Sequence, residues 1–407
     1  MVGKKRKIYD VIICGGGMTG AAMALGLANL KLNVALLETA LPQPFSKKQR
    51  FDLRVSALSA QTVLLLKTLD VWEDILKTRC HPYRRLRVWE NPKLGDVIFN
   101  ADNIDEPQIG FIAENRIVQL ALWKKIKTKE QINTYCSTTW IQLKCFGDKV
   151  SVDLQNGDQI VGDLLIGADG AQSGVRKEFQ IPSSFYKYGQ SCLVASVRAK
   201  EAEKDITWQR FSKTGPQAFL PLSKDYASIV WYHRTEQINN LVQLDERDLA
   251  LKIMESFPNE LGAVEVIQKG CFPLHKSHAS NYIKPRLALI GDSAHTINPL
   301  AGQGANLGFQ DVICLNNVIN TALINGEDWS STSVLKRYEI KRKIFNSIML
   351  NAIDIIYHGF SNDVVPIRFI RNKIMSFANV PMINNLIMRY ATGLGMELPV
   401  NFERQPY

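Results

Sequence analysis

Little in the 407-residue chain marks a metalloprotein, a secreted scaffold or a fibre. The seven cysteines, at 14, 80, 136, 145, 192, 271 and 314, are odd in number and scattered. None forms a CxxC pair or a Cys/His cluster at metal-ligand spacing. Free thiols in a reducing cytoplasm are the reading that follows. The six histidines show no HxxxH pairing, so no metal is expected. No internal repeat, low-complexity tract or long linker is present. Hydrophobic residues at 46% and charged residues at 22% exclude disorder, collagen and coiled coil, and the length allows one large core or two ordinary ones. Lys and Arg outnumber Asp and Glu by 49 to 39, a formal charge of +10 without the density of a nucleic-acid-binding tail. Anionic small molecules or an anionic membrane face are the expected partners, and nucleic acid is not.

The chain also lacks a convincing membrane span near its start. Lys4, Lys5, Arg6 and Lys7 precede an uncharged run from Val11 to Leu30, an arrangement that imitates a signal peptide. Asp10 opens the run, however, and Gly15, Gly16, Gly17 and Gly20 interrupt it where a spanning helix prefers continuous apolar side chains. The same letters read better as a βαβ unit: a strand over Tyr9 to Cys14, a turn over Gly15 to Gly20, a helix over Ala21 to Leu30 and a second strand over Val34 to Leu37. Gly15, Gly17 and Gly20 then fit the dinucleotide fingerprint GxGxxG. The first permits a tight turn, the second lets backbone approach a pyrophosphate, and the third allows close helix-to-strand packing. Glu38 stands about twenty residues on, where a carboxylate accepts hydrogen bonds from a ribose. A plain Gly-rich turn is the competing reading, and the pattern alone leaves FAD and NAD both open.

Two later stretches bear on that choice. Leu164-Leu165-Ile166-Gly167-Ala168-Asp169-Gly170 is an apolar strand entering a turn, Ser173 suits the cap of a following helix, and Arg176 adds a cation near the entrance. Alone this is an ordinary βα turn. Leu287 to Ile290 is another apolar strand, followed by Gly291-Asp292-Ser293-Ala294-His295, a Pro-bearing loop from Asn298, and the Gly-rich start of a helix at Gly302-Gln303-Gly304-Ala305-Asn306 that ends its motif at Asp311. Backbone N–H groups unshielded by side chains suit a cofactor with negative charge on both its ribityl chain and its ring.

Together these residues resemble the class A flavin-dependent aromatic hydroxylases, and within them the hydroxylases of ubiquinone biosynthesis. The three signatures stand in the right order and span most of the chain. The resemblance implies that Glu38 holds the adenosine ribose, Arg54 the phosphates and Asp292 the ribityl chain. Arg116, in Glu114-Asn115-Arg116-Ile117-Val118-Gln119, falls on the next FAD-contacting helix. Pro299 and the stretch from Gly302 through Gly304 and Ala305 to Asn306 would line the isoalloxazine ring, and Asp169 with Gly170 would serve both FAD and reductant. Outside these motifs, Arg79 to Leu86, Gln190-Ser191-Cys192, Phe219 to Leu222, Ser228 to Tyr232 and Gly359-Phe360-Ser361-Asn362 resemble the subgroup that hydroxylates demethoxyubiquinol. Packing is the plainer reading of Pro82, Trp231 and Phe219.

The fold this implies is α/β: a discontinuous Rossmann-like FAD-binding domain of the para-hydroxybenzoate-hydroxylase type, with an inserted β-sheet substrate domain and a C-terminal helical segment. Residues 1–75, 110–180 and 280–325 are assigned to the FAD domain, 76–109 and 181–279 to the substrate sheet, and 326–407 to the helices. The chemistry implied is hydroxylation of a polyprenylated quinol by O₂ through a flavin hydroperoxide, with NAD(P)H as electron donor and no second fingerprint needed for it. His295 reads as support for the flavin loop rather than as an acid or base, and no catalytic side chain is assigned. Lys336, Arg337, Lys341, Arg342 and Lys343 among Ile344, Ile348 and Leu350 make a basic amphipathic helix. It suits the anionic face of the inner membrane, other ubiquinone-biosynthesis proteins or a second copy of the chain, or else simple packing on the core. A flavin-bearing scaffold subunit and a flavin dehydrogenase acting on lipid are the rival functions.

Overall fold

The computed structural model describes residues 6–90, 96–212, 214–298, 302, 304–360 and 380–393. Pro299, and Ser361 and Asn362 of the Gly359 stretch, lie outside the described residues. The apolar runs around the fingerprint build a six-stranded sheet in the order Ile283–Lys284, Leu287–Leu289, Leu164–Gly167, Val11–Cys14, Val34–Glu38, Ile132–Cys136. All neighbours are parallel except the first pair. Val11, Ile12, Ile13, Leu36 and Leu164 to Ile166 have no exposed surface, as a parallel sheet covered on both faces requires. The helices Met18–Asn29, Asn115–Ile126 and Gly304–Ile324 supply much of that cover.

The first helix begins at Met18, earlier than the expected Ala21, so Gly20 lies inside its first turn. The cause is steric. A Cβ on Gly20 would stand 1.9 Å from the Gly15 carbonyl oxygen, and only a glycine lets the helix start so close to the strand it leaves. Gly15 takes φ +105° and packs its α-carbon against the Ala168 carbonyl, which joins the first and second motifs directly.

A second sheet has eight strands: His295–Thr296, Glu265–Ala279, Ser183–Arg198, Tyr226–Arg234, Gln217–Pro221, Ile206–Arg210, Arg85–Trp89 and Asp96–Asn100. Its long strands exceed the short alternating runs visible in sequence, because they continue past the core to exposed Phe185 and Tyr186. Side chains alternate across it. Leu193, Ala195, Ile229 and Trp231 face Ile238, Leu249 and Ile253 of the helices Thr235–Gln243 and Glu246–Ser256. The opposite face presents Cys192, Val194, Val230, Tyr232, Phe272 and Leu274 toward Leu53 of the nucleotide half.

The helix Thr332–Phe360 lies along both halves. It corrects one expectation, since Arg342 does not join a basic outer face. It is buried against Asp311, because its place on the helix turns it toward the Gly304–Ile324 helix. Lys343 donates to the Ser280 carbonyl, Arg337 pairs with Glu327 and Lys336 with Glu339. The exposed face is mixed: Lys336, Arg337 and Lys341 lie on it together with the isoleucines Ile340, Ile344, Ile348 and Ile355. One described helix, Gly304–Ile324, is long and apolar enough to cross a membrane by length and composition, and two-thirds of its most apolar stretch (67%) is buried in the protein.

Candidate active site: a nucleotide cradle facing an aromatic sheet

The fingerprint turn leaves the N-terminus of the Met18–Asn29 helix without a side-chain cap, and a Cβ on Gly17 would meet nothing within 4 Å. Free N–H groups at the positive end of a helix, opening on empty space, form an anion site. Glu38 ends its strand beside this turn: Oε2 accepts from the Gly16 N–H at 2.6 Å and Oε1 from Ala40 N–H at 2.9 Å. Gln119 and Trp123, one turn apart on the Asn115–Ile126 helix, both donate to the Gly16 carbonyl, at 2.9 and 2.8 Å. The sequence places Gln119 only within the stretch assigned to the FAD-contacting helix and leaves Trp123 out, although their spacing puts both on one helix face.

Arg116 forms a two-pronged pair with Asp52, Nε to Oδ2 at 2.8 Å and Nη2 to Oδ1 at 2.7 Å. Asp169 is spent on its own turn, accepting from the Ser173 hydroxyl and the Val175 N–H, while Ser173 caps the helix Gly174–Glu178 through Arg176 N–H. Arg176 is not at an entrance. It is buried, and donates at 2.6 Å to the Ser293 carbonyl and at 2.8 Å to that of Ala171, which ties the Asp-Gly turn to the Gly-Asp turn.

Asp292 sits in that second turn. Its side chain is open to solvent, yet protein surrounds it closely enough that burial pushes its carboxyl up, against the pull of His295, Arg54 and His275. The two facts agree if the carboxylate lies deep in an open cleft. Arg54 links this cleft to the large sheet: its charge reaches Asp292, and its guanidinium stands 5.2 Å over the Phe272 ring. Asn298 is fully buried, and among the described residues its amide has the Tyr188 hydroxyl as its only side-chain partner. Gly302 takes φ +64° against Ala57, and Gly304 and Ala305 open the next helix. The Asn306 side chain turns away to the neighbouring strand, accepting from Ser59 N–H and the Thr62 hydroxyl and donating to the Ala57 carbonyl, so only its backbone is left for a ring.

Beneath the cleft lies Asp311, with no exposed surface. Its Oδ2 accepts from Gly291 N–H at 2.8 Å and from His295 Nε2 at 2.6 Å, and its Oδ1 from Arg342 Nε at 2.7 Å. Asn346 joins Arg342, Asp311 and Tyr282, and His278 meets the Tyr282 hydroxyl at 2.8 Å. Burial alone would raise the Asp311 carboxyl, but His295 and Arg342 overcome it and hold it down to about 2. His295 thus supports the Gly291 turn rather than facing solvent.

The site fits FAD on its own geometry. It has an uncapped helix N-terminus beside an open glycine, a carboxylate at ribose distance along the chain, and a second carboxylate, Asp292, crowded by protein yet open to solvent. The comparisons agree. A family described as FAD binding domain matches residues 8–352. The 3-demethoxyubiquinol 3-hydroxylase of Escherichia coli K12 is 42% identical over 95% of this chain and 98% of its own. The mitochondrial ubiquinone biosynthesis monooxygenase COQ6 of Mus musculus is 32% identical over 95% and 91%. The crystal structure of p-nitrophenol 4-monooxygenase PnpA from Pseudomonas putida DLL-E4 superposes with a TM-score of 0.80, covering 97% of this chain and 100% of that one at 16% identity, a likeness of fold.

Because the Asp311 carboxyl is depressed in the folded state, its contribution is complete above the unfolded value near 3.9 and is lost as pH falls toward about 2. Asp311→Asn is expected to cost about 3–5 kcal/mol in urea unfolding at pH 7, since it strands buried Arg342. A loss below about 1 kcal/mol would make the node dispensable.

Proposed function

The chain belongs to the FAD-dependent hydroxylases of ubiquinone biosynthesis, and on that premise we propose that it hydroxylates the quinol ring of a polyprenylated precursor, 3-demethoxyubiquinol. The observation that carries the reading is Arg54, which bridges the Asp292 cleft and the aromatic face of the large sheet. A planar substrate between them would meet cofactor on one side and Phe272, Tyr188 and Tyr232 on the other.

Each half has its own task. The Gly15 to Gly17 turn and the helix behind it receive the pyrophosphate, Glu38 the ribose and Asp292 the ribityl chain, while Gly302, Gly304 and Ala305 offer backbone to the ring. Arg54 balances charge between phosphates, Asp292 and the sheet. FAD, once bound and reduced, supplies the activation of O₂ and the delivery of one oxygen atom to the ring. The protein binds and orients the quinol, and the apolar sheet face excludes water from it. A quinol is electron-rich already, which reduces the demand for a side-chain base. NAD(P)H is the proposed reductant.

A lipid-tailed substrate favours work at a membrane surface. The exposed row Ile340, Ile344, Ile348 and Ile355 on the Thr332–Phe360 helix, on a chain of net charge +10, suits the anionic face of the inner membrane. Other ubiquinone-biosynthesis proteins or a second copy of the chain are the competing occupants of that row.

Purified FAD-loaded protein, given the quinol, reductant and ¹⁸O₂, is expected to place one labelled oxygen on the ring. Reductant consumption with no labelled product would mark a dehydrogenase, and no turnover a scaffold. Asp292→Ala is expected to purify with little FAD, and full flavin content would remove the ribityl assignment. Ile344→Glu with Ile348→Glu is expected to abolish co-sedimentation with anionic vesicles. Unchanged pelleting, or a change of oligomeric state instead, would give the row to another partner.

A further inference from the structure

The cleft-facing side of the large sheet is largely apolar, and it carries one hydroxyl that the protein leaves unsatisfied where its neighbours are engaged. Tyr232 is buried, 2% exposed, and its hydroxyl has no hydrogen-bond partner among the described residues. Tyr188, packed with it in one cluster, donates to Asp354, and Tyr357 donates to Gln190. Cys192, its cross-strand neighbour, holds a thiol that burial pushes up to about 12, a weak partner. Ser196 and Ser228 on the same face also lack partners, but they stand directly opposite each other, so a rotation of either hydroxyl lets them satisfy one another. Tyr232 has no such recourse. Across Tyr188 lies the buried Asn298 amide, which reaches the Tyr188 hydroxyl and has no other partner among the described residues.

A buried hydroxyl left unpaired among aromatic and apolar side chains costs stability unless a ligand meets it. Burial also pushes the Tyr232 phenol up, so it stays protonated and able to donate. We propose that the Tyr232 hydroxyl and the Asn298 amide are substrate-positioning groups, hydrogen-bonding the oxygens of the quinol ring and so setting which ring carbon faces the flavin. This deepens, and rests on, the quinol hydroxylase reading.

The test compares Tyr232→Phe and Asn298→Ala with the wild-type holoenzyme, using a short-tailed demethoxybenzoquinol. Four readouts are taken: Tm, flavin content, quinol KM, and the share of oxidised reductant that ends as hydrogen peroxide. Tyr232→Phe removes an unpaired hydroxyl, so Tm is expected to hold or rise and flavin content to stay full. Quinol KM is expected to rise about 5- to 10-fold, the loss of one substrate hydrogen bond, and peroxide to increase. Asn298→Ala is expected to shift KM and peroxide in the same direction. A wild type that hydroxylates the quinol beside a Tyr232→Phe enzyme with unchanged KM and peroxide would overturn the inference alone. A fall in Tm with normal KM would make the residue structural and overturn it too. A wild type that hydroxylates no benzoquinol would overturn the functional reading, and this inference with it.

Discussion

The carboxylate of Asp311 is the point on which the site depends. A buried charge is tolerable only when paired and hydrogen-bonded, and this one gathers its partners from three places: the Gly291 turn, His295 and the long helix Thr332–Phe360. Gly291 adopts a left-handed backbone that its N–H bond to Asp311 secures. Asp292 follows directly in that turn, while Arg342 anchors the helix whose far end brings Asp354 and Tyr357 to the large sheet. One desolvated anion therefore ties the Gly291 turn to the helix that reaches the large sheet.

The two sheets answer different physical demands. The parallel sheet is buried on both faces and ends in glycine turns, so its chemistry comes from backbone N–H groups and from carboxylates placed at strand ends. The eight-stranded sheet, antiparallel except where Ile206–Arg210 meets Arg85–Trp89, spends one face on helices and keeps aromatic rings and a few unpaired polar atoms on the other. Arg54 reaches from Asp292 to Phe272, and so touches both.

The nucleotide half was legible because its constraints are local. A strand, three spaced glycines and an acidic residue lie within a short stretch of chain, and the Ser173 cap could be read directly from its turn. Long-range partners were not legible. Nothing near Arg342 in sequence names Asp311, so the residue read as one more surface cation, and Arg176 read as an entrance charge when it bonds the Ser293 carbonyl. Tyr232 was quoted only for its likeness to a subgroup. Its unpaired hydroxyl emerges when the strands Ser183–Arg198 and Tyr226–Arg234 are paired and the neighbouring tyrosines are seen to be engaged.

Deleting the gene in its host and identifying the accumulating quinone intermediate by mass spectrometry tests the central claim most directly. Accumulation of the demethoxy quinone is the result expected here. Accumulation of an earlier prenylphenol would assign another ring position, and an unchanged quinone pool would contradict a place for this chain in the pathway.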